Sequence, residues 1–234
     1  MTEAKRDKPV VAIDGPAGVG KSTTARDLAA RLGFVLVDTG ALYRAVALAA
    51  REAGVDWSDA AALGGLATTL KLSFEPGPKG AARLHLAGVD RDDQLRTPQM
   101  GEGASKVSQH PPVRDALLGV QRRLGARGGV VLEGRDIGTV VFPDAEVKVF
   151  LTATPRARAL RRLEDLAARG KAVPPLEELE AAMAARDRRD SMRPVAPLRA
   201  ADDGFTLDST NLSFEEVVDA LEAIVRRRMQ PSGA

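Results

Sequence analysis

Cysteine is absent from the sequence, which excludes disulfide bonds, zinc–thiolate sites and cysteine nucleophiles. Aromatic residues make up only 3% of the chain, a poor supply for the stacking platforms that bind single-stranded nucleic acids. No apolar run approaches the ~18 residues of a membrane-spanning helix. Only the four apolar residues Val10–Ile13 follow the charged opening MTEAKRDKP, too few for the apolar region of a secretory signal. These absences favour a cytoplasmic protein without a membrane or nucleic-acid partner.

An excess of one charge sign is also lacking, because 34 basic residues nearly match 32 acidic ones and leave a net charge of +2. So small a net charge does not by itself indicate nucleic-acid binding, although the pI is 9.1. The 234 residues are enough to bury a core without help from metals or disulfides. We expect a monomer that acts on small molecules.

Five short runs rich in β-branched residues predict the strands of one sheet. Each run is apolar throughout rather than alternating, as expected for strands covered on both faces. Helical patterns separate the runs. One of them spaces apolar residues over 25–32 and stops at Gly33, and another opens with a capping box. We therefore predict an α/β fold, with a central five-stranded parallel sheet flanked by helices. The predicted strands are Val10–Ile13, Phe34–Val37, Val130–Glu133, Val147–Leu151 and Phe205–Asp208.

Two segments interrupt this alternation of strands and helices. Residues 63–96 contain two alternating runs joined by the turn-rich PGPKG, which predicts a small β insertion. Residues 156–193 are arginine-rich and helical with a break at RGKAVPP, which predicts a lid outside the sheet. The core domain then comprises residues 9–62, 97–155 and 194–230.

The stretch Gly15–Ser22, GPAGVGKS, matches the phosphate-loop pattern G-x-x-x-x-G-K-[ST] without a mismatch, between a predicted strand and a predicted helix. Glycines allow the backbone to curl so that several amide N–H groups point at phosphate oxygens, and the helix start adds its dipole. Lys21 would reach the outer phosphates, and the Ser22 hydroxyl would ligate Mg²⁺. The pattern predicts a nucleoside triphosphate site formed by Gly15, Pro16, Ala17, Gly18, Val19, Gly20, Lys21, Ser22 and Thr23.

The surroundings of this loop narrow the class of nucleotide-binding protein. Switch GTPases carry a guanine-reading N-K-x-D stretch, which is absent, and large motor ATPases need far longer chains. A small kinase that moves the γ-phosphoryl group of ATP to a small acceptor fits the length, the β insertion and the arginine-rich segment. Arginines near a lid would neutralise the clustered phosphate charge.

Three further stretches are candidates for the acceptor side. DTGALYR (Asp38–Arg44) and EGRDIGTVVFPDA (Glu133–Ala145) each follow a predicted strand, at the edge where parallel sheets bind ligands. In ARDRRDSMR, the residues Arg186, Arg189 and Arg193 fall on one helical face, where three guanidinium groups could converge on a polyphosphate. Each stretch has an alternative: the first two could be ordinary turns, and the charge run could be a solvated helix face.

Together with the phosphate loop, these stretches resemble the bacterial cytidylate kinases. The resemblance rests on IDGPAGVGKST, DTGALYR, EGRDIGTVVFPDA, KVFLTA, RDRRDSMRPVAPL and LDST, in order, from about Val10 to Arg228. It implies a P-loop kinase fold in which the β insertion enlarges the nucleoside-monophosphate (NMP) domain and the arginine-rich segment forms a lid. It also implies the reaction of ATP with CMP or dCMP to give ADP and CDP or dCDP, with Mg²⁺.

The resemblance further implies roles for individual residues. Lys21 and several arginines would stabilise the transferring phosphoryl group, namely Arg135, Arg186, Arg189 and Arg193. Cytosine contacts would come from Ser105, Arg114 and Asp136. The other acceptor contacts would come from Thr39, Tyr43, Arg44, Arg135, Arg186, Asp190 and Arg193. A carboxylate such as Asp136 can accept a hydrogen bond from the cytosine amino group, but it would face a carbonyl lone pair in uracil.

Two other functions stay open on the sequence. A kinase for another small acceptor, such as UMP or shikimate, would use the same phosphate loop. A nucleotide-dependent nucleic-acid-binding protein would use residues 156–193 as a basic surface, although the low aromatic content and the balanced charge disfavour this function.

Overall fold

In the computed structural model, which describes residues 6–77, 82–168, 170 and 172–229, a five-stranded parallel sheet forms the centre of the molecule. The strands in these ranges are β1 (Val10–Asp14), β2 (Val35–Asp38), β3 (Leu72–Pro76), β4 (Ala82–Leu86), β5 (Val89–Asp90), β6 (Val130–Gly134), β7 (Val147–Thr152) and β8 (Phe205–Asp208). The central sheet has the order β2-β6-β1-β7-β8, and β3, β4 and β5 form a small antiparallel sheet. The five strands predicted for the central sheet are confirmed.

Helices cover both faces of the central sheet. They are α1 (Lys21–Leu32), α2 (Gly40–Glu52), α3 (Ala60–Thr69), α4 (Asp92–Leu95), α5 (Pro98–Val107), α6 (Pro111–Gly125), α7 (Pro155–Ala168), α8 (Leu176–Ser191) and α9 (Phe214–Met229). As predicted, α1 ends where Gly33 adopts a left-handed φ of 64°, and Ser213 and Glu216 exchange the hydrogen bonds of a capping box at the start of α9. Every helix within the described ranges is too short or too polar to cross a membrane.

Alternate residues of the strands enter different cores, which explains why the runs are apolar throughout. In β1, Val11 and Ile13 pack in a core with residues of α1 and α9. Val10 and Ala12 point to the opposite face, where they pack with Phe142 and other apolar residues that follow β6. The side chain of each strand residue therefore packs in the core on the side of the sheet to which it points.

A third core does not include the central sheet. Its buried members all come from the contiguous stretch 41–117, in which α2, α3, α5 and α6 pack together. Leu42, Leu63 and Leu117 are 0–1% exposed in this core, and Leu84 joins it from β4 of the small sheet. The small sheet is thus attached to a helical cluster of its own.

The predicted β insertion differs from the structure in its first part. Residues 60–69 form α3, because Asp59 accepts a hydrogen bond from the Ala62 N–H at 3.0 Å and caps an alanine-rich helix. The predicted hairpin begins only at Leu72, where β3 pairs with β4, and β5 adds a short strand that the sequence patterns do not predict. Residues 78–80 of the predicted PGPKG turn lie outside the described residues.

The arginine-rich segment forms α7 and α8, which pack against each other. Residues 169 and 171 of the predicted break lie outside the described ranges. Arg193 was expected on one helical face with Arg186 and Arg189, and this prediction is wrong because α8 ends at Ser191. Pro194 explains the difference, since a residue before proline is disfavoured in the helical conformation.

The packing of α3 on α6 provides a matched test of this fold. A Cβ at Gly64 would lie 2.4 Å from the Pro112 Cβ, whereas a Cβ at Gly65 would meet no atom within 4 Å. Gly65→Ala should raise the free energy of unfolding by ~0.5–1 kcal/mol, since alanine favours the helix. Gly64→Ala should lower it by ~1–3 kcal/mol through overpacking. Urea unfolding measures both values, and equal effects of the two substitutions would contradict the contact.

Candidate active site

The phosphate loop begins at Gly15, where the chain leaves β1 with a φ of 151°. A Cβ at this position would lie 2.0 Å from the Leu151 carbonyl oxygen of β7, so no side chain fits. Gly18 and Gly20 have φ values of 75° and 99°, which turn the loop toward the start of α1 at Lys21. The loop therefore has the strand-to-helix form in which backbone amides hold phosphate.

A cavity of about 960 Å³ runs along the carboxyl edge of the central sheet. Ala17 to Thr23 of the phosphate loop line it, whereas Gly15 and Pro16 do not. The sequence-predicted acceptor-side and catalytic residues beyond the loop all line the same cavity: Thr39, Tyr43, Arg44, Ser105, Arg114, Arg135, Asp136, Arg186, Arg189, Asp190 and Arg193. Among these acceptor-side and catalytic residues, the first and the last, Thr39 and Arg193, are 154 positions apart in the sequence.

Lys21 lies against its own loop. Its ammonium donates hydrogen bonds to the carbonyl oxygens of Gly15 at 2.8 Å and Pro16 at 2.6 Å, and the residue is 6% exposed. Burial and the nearby Arg135 guanidinium lower the pKa of Lys21 well below its ordinary value. A bound anion would offset both effects, because it would favour the charged ammonium.

Ser22 and Glu133 form a pair of oxygen-bearing side chains beside the loop. The Ser22 hydroxyl donates to Glu133 Oε2 at 2.8 Å, and Glu133 Oε1 is buried with no hydrogen-bond partner in the described part of the chain. Burial and the charge of Asp38 raise the pKa of Glu133 to about 7. The sequence patterns assign no role to Glu133, although its place at the end of β6 in the EGRD stretch is a usable signal.

This pair fits a magnesium ion. Mg²⁺ prefers hard oxygen ligands, and proteins hold it through one or two side chains together with substrate phosphates. Within the described ranges, no group of three or more histidine or acidic side chains could hold a metal on its own. Ser22 and Glu133 are therefore the candidate ligands, and a phosphate on the loop would supply the others.

The DTG stretch stands at the end of β2, next to β6. Asp38 accepts a hydrogen bond from Arg44 at 2.6 Å, and although burial acts in the opposite direction, this guanidinium holds the pKa of Asp38 below its ordinary value. The Thr39 hydroxyl donates to the Glu133 carbonyl oxygen at 2.7 Å, which ties the two strand ends together. Arg44 is thereby held at the cavity wall.

Asp136 is buried beside two arginines. Arg114 donates to its Oδ2 atom, and a guanidinium nitrogen of Arg193 lies 3.9 Å from its Oδ1 atom. Burial raises the pKa of Asp136, and the two guanidinium groups act in the opposite direction. The Arg114 guanidinium lies 5.6 Å from the Tyr43 ring centroid, and Ser105 Oγ is buried nearby in the same cavity wall. The residues that the resemblance assigns to cytosine contacts therefore share one cavity.

Further arginines at the cavity come from the GRD stretch after β6 and from the segment predicted as a lid. Arg135 donates through Nε to Asp190 at 3.1 Å, and Arg193 donates to the carbonyl oxygen of Ala196. Arg186 forms no ion pair within the described residues, and burial together with the Arg135 charge lowers its pKa to about 10, against the opposite effect of Asp190. The alternative of a solvated helix face is therefore wrong for Arg186, Arg189 and Arg193, which line the cavity, whereas Arg188 of the same stretch is exposed.

The cavity holds more positive charge than its own acids neutralise. Lys21 and Arg186 both have lowered pKa values, and Arg135 contributes to both shifts. Buried polar groups are almost always hydrogen-bonded in native proteins. Several buried atoms at this cavity nonetheless have no partner among the residues that the structure describes: Arg44 Nε, Ser105 Oγ, Glu133 Oε1, Arg186 Nε, Arg189 Nε and Arg193 Nε. An anionic ligand with several acceptor oxygens would satisfy most of them.

Two arginines of α7 contact residues of the phosphate loop, of α8 and of the loop after β8. The sequence patterns do not single them out. Arg158 is 2% exposed and donates to the Ala17 carbonyl oxygen at 2.9 Å and to Asp187 of α8 at 2.5 Å. Arg161 donates to Ser209 Oγ at 3.1 Å, in the loop after β8. Their spacing of three residues on one helix is the signal that could have found them.

A parallel sheet with a phosphate loop after its central strand, facing an arginine-rich helical segment across one cavity, defines the class of P-loop kinases. A family model for cytidylate kinases matches residues 11–227. The chain belongs to the cytidylate kinase family.

Individual relatives agree with this membership. The cytidylate kinase of Geobacter sulfurreducens is 50% identical over 228 residues, which cover 97% of this chain and 97% of that protein. The bifunctional pantoate ligase/cytidylate kinase of Synechococcus sp. (strain CC9311) is 52% identical over 221 residues, 94% of this chain but 45% of that protein. The chain therefore spans a little under half of the bifunctional relative. An uncharacterized protein of Eubacterium ventriosum ATCC 27560 shares the fold, with a TM-score of 0.53 and 10% identity over 94% of this chain and 99% of that chain.

The charge excess leads to a prediction for the protein without nucleotide. Arg186→Gln should raise the melting temperature by about 2–4 °C, because the substitution removes a cation that Arg135 repels. We expect this removal to raise the free energy of unfolding by ~1 kcal/mol. The substitution should also reduce the increase in melting temperature that added inorganic triphosphate causes. The control is Arg188→Gln, on an exposed position of the same helix. Thermal unfolding at low ionic strength measures both effects, and an Arg186 variant that melts lower and keeps the full triphosphate effect would contradict the charge argument.

Proposed function

We propose that this protein transfers the γ-phosphoryl group of ATP to CMP or dCMP, with Mg²⁺, giving ADP and CDP or dCDP. The observation that carries the proposal is the unneutralised arginine cluster, which shares one cavity with a phosphate loop and a buried carboxylate. Two phosphorylated ligands would satisfy these cations, and the carboxylate would read the base of one of them. Membership of the cytidylate kinase family supports the same acceptor.

On the donor side, the loop amides and the start of α1 would hold the triphosphate. Lys21 would leave the carbonyl oxygens of Gly15 and Pro16 to neutralise the outer phosphates. Ser22 and Glu133 would hold Mg²⁺, which would help to neutralise the charge that develops during phosphoryl transfer. The geometry that supports this side is the 2.8 Å pair of Ser22 and Glu133 beside the loop.

On the acceptor side, Asp136 would accept a hydrogen bond from the N4 amino group of cytosine. Uracil carries a carbonyl oxygen at that position, so its lone pair would face the carboxylate. Burial raises the pKa of Asp136, and Arg114 and Arg193 oppose this rise, so that they favour the ionised form that accepts hydrogen bonds. Discrimination of this kind is strong because the wrong base leaves a buried polar group unpaired.

Phosphoryl transfer needs positioning and charge neutralisation more than a covalent nucleophile. An oxygen of the acceptor monophosphate is the attacking atom, and it is already largely ionised at neutral pH, so no general base is required. Arg135 and Arg186 would stabilise the charge on the transferring group from the side opposite the loop, together with Arg189 and Arg193.

Contacts between loop and lid would exclude water from the reaction. A Cβ at Gly18 would lie 3.0 Å from the Met183 Cε atom of α8, so the lid already packs on the loop. Arg158 joins the loop carbonyl of Ala17 to Asp187 on the same helix. A closed lid keeps water from accepting the phosphoryl group in place of CMP.

The test of the proposal is a panel of acceptors. ADP release from ATP is measured with CMP, dCMP, UMP, AMP and shikimate, each with and without Mg²⁺. We expect turnover with CMP and dCMP that depends on Mg²⁺, and almost none for a folded Lys21→Ala variant. Absence of ADP release with CMP and Mg²⁺ would overturn the proposal, and faster turnover with UMP or shikimate would assign the other acceptor.

Base selectivity provides a sharper prediction. Asp136→Asn should lower the ratio of kcat/KM for CMP to that for UMP by about tenfold or more, because an amide offers a donor as well as an acceptor to the base. The KM for ATP should change by less than about twofold, since the loop is untouched. Asp115→Asn, an exposed position one residue after Arg114 on α6, is the control. An unchanged CMP/UMP ratio in the Asp136 variant would refute the base-reading role.

A further inference from the structure

Asp14 is a buried carboxylate to which the proposed mechanism gives no task. It is the last residue of β1, directly before Gly15 of the phosphate loop, and it is 5% exposed. Burying a carboxylate costs free energy unless hydrogen bonds compensate it. The bonds that Asp14 accepts therefore indicate what the side chain does.

Both oxygens of Asp14 accept backbone hydrogen bonds from the segment after β6. Its Oδ1 atom accepts from the Ile137 N–H at 2.8 Å, and its Oδ2 atom accepts from the Gly138 N–H at 2.8 Å. These N–H groups open the π-helical turn Ile137–Val141, where the first donors have no partner within the turn. Charge-assisted bonds of this length are strong, so the start of the turn is fixed to the end of β1.

The residue immediately before this turn is Asp136. Strand pairing holds the chain on its other side, since Asp14 is also the register partner of Gly134. The turn also packs closely on Lys148, because a Cβ at Gly138 would lie 3.2 Å from the Lys148 Cγ atom. The backbone of Asp136 is thus bracketed by two attachments to the same residue of β1.

Different residues hold the side chain of Asp136 and the backbone beside it. Arg114 and Arg193 contact the carboxylate oxygens, but they do not set the position of the Cα from which the side chain extends. Asp14 does so from the protein interior. An asparagine at position 14 would replace one acceptor oxygen with an NH₂ group that faces a backbone N–H, so only a carboxylate satisfies both donors.

We propose that Asp14 is a positioning residue for acceptor selectivity, which holds Asp136 in its base-reading place through the N–H groups of Ile137 and Gly138. This inference rests on the proposed function, because it assigns the purpose of the bonds to the reading of the acceptor base. It links the strand that carries the phosphate loop to the segment that reads the acceptor, through one side chain.

Steady-state kinetics of Asp14→Asn test the inference. We expect the ratio of kcat/KM for CMP to that for UMP to fall about tenfold or more, with the KM for CMP rising more than the KM for ATP. Glu146→Gln is the matched control, because Glu146 accepts the Val10 N–H at 2.8 Å at the opposite end of the same strand. That variant should lose stability and keep the wild-type ratio.

The outcomes separate this inference from the proposed function. If the wild-type protein does not phosphorylate CMP, the proposed function fails. If the wild-type protein is active and Asp14→Asn keeps its CMP/UMP ratio, or loses it no more than Glu146→Gln does, the positioning role fails. If Asp14→Asn does not fold, hydrogen exchange of the wild-type protein decides: slow exchange of the Ile137 and Gly138 amides supports the inference, and exchange at the rate of exposed loop amides overturns it.

Discussion

The excess of positive charge at the carboxyl edge of the central sheet is the constraint on which the rest of the site depends. Lys21 and Arg186 are held close to Arg135 in surroundings that lower the pKa of both cations, and nearby acids compensate only part of the repulsion. Such an arrangement persists because the packed strands and helices fix its position. It also favours ligands that carry several anionic oxygens, because these would neutralise the clustered cations.

The parallel sheet determines where the residues of the site lie. The ends of β1, β2 and β6 are neighbours in the order β2-β6-β1, so the phosphate loop, the DTG stretch and the GRD stretch meet at one edge. Bonds between strand ends then fix their relative positions, as Thr39 does by donating to the Glu133 carbonyl oxygen. Precision at the site therefore comes from cross-strand bonds rather than from the loops alone.

Much of this arrangement could be predicted from the sequence, because its signals are local. Continuous apolar runs predict buried parallel strands, and the eight residues Gly15–Ser22 define the phosphate loop without any tertiary information. The signals that failed depend on context: a capping Asp59 makes a helix of the first part of the β insertion, and Pro194 removes Arg193 from its helix. Local signals can mark Glu133 and Arg158 as candidates, but they do not identify their partners, because each contacts a residue more than a hundred positions away.

The core built from residues 41–117 contains no residue of the central sheet. Ser105 and Arg114 lie on α5 and α6, which help to build that core, whereas Asp136 follows β6 of the central sheet. The residues that we propose to contact the base therefore come from two parts of the fold, and the Arg114–Asp136 ion pair joins them. A pyrimidine that contacts residues from both parts would connect them, so that binding of the correct nucleotide would also bring α5 and α6 against the edge of the central sheet.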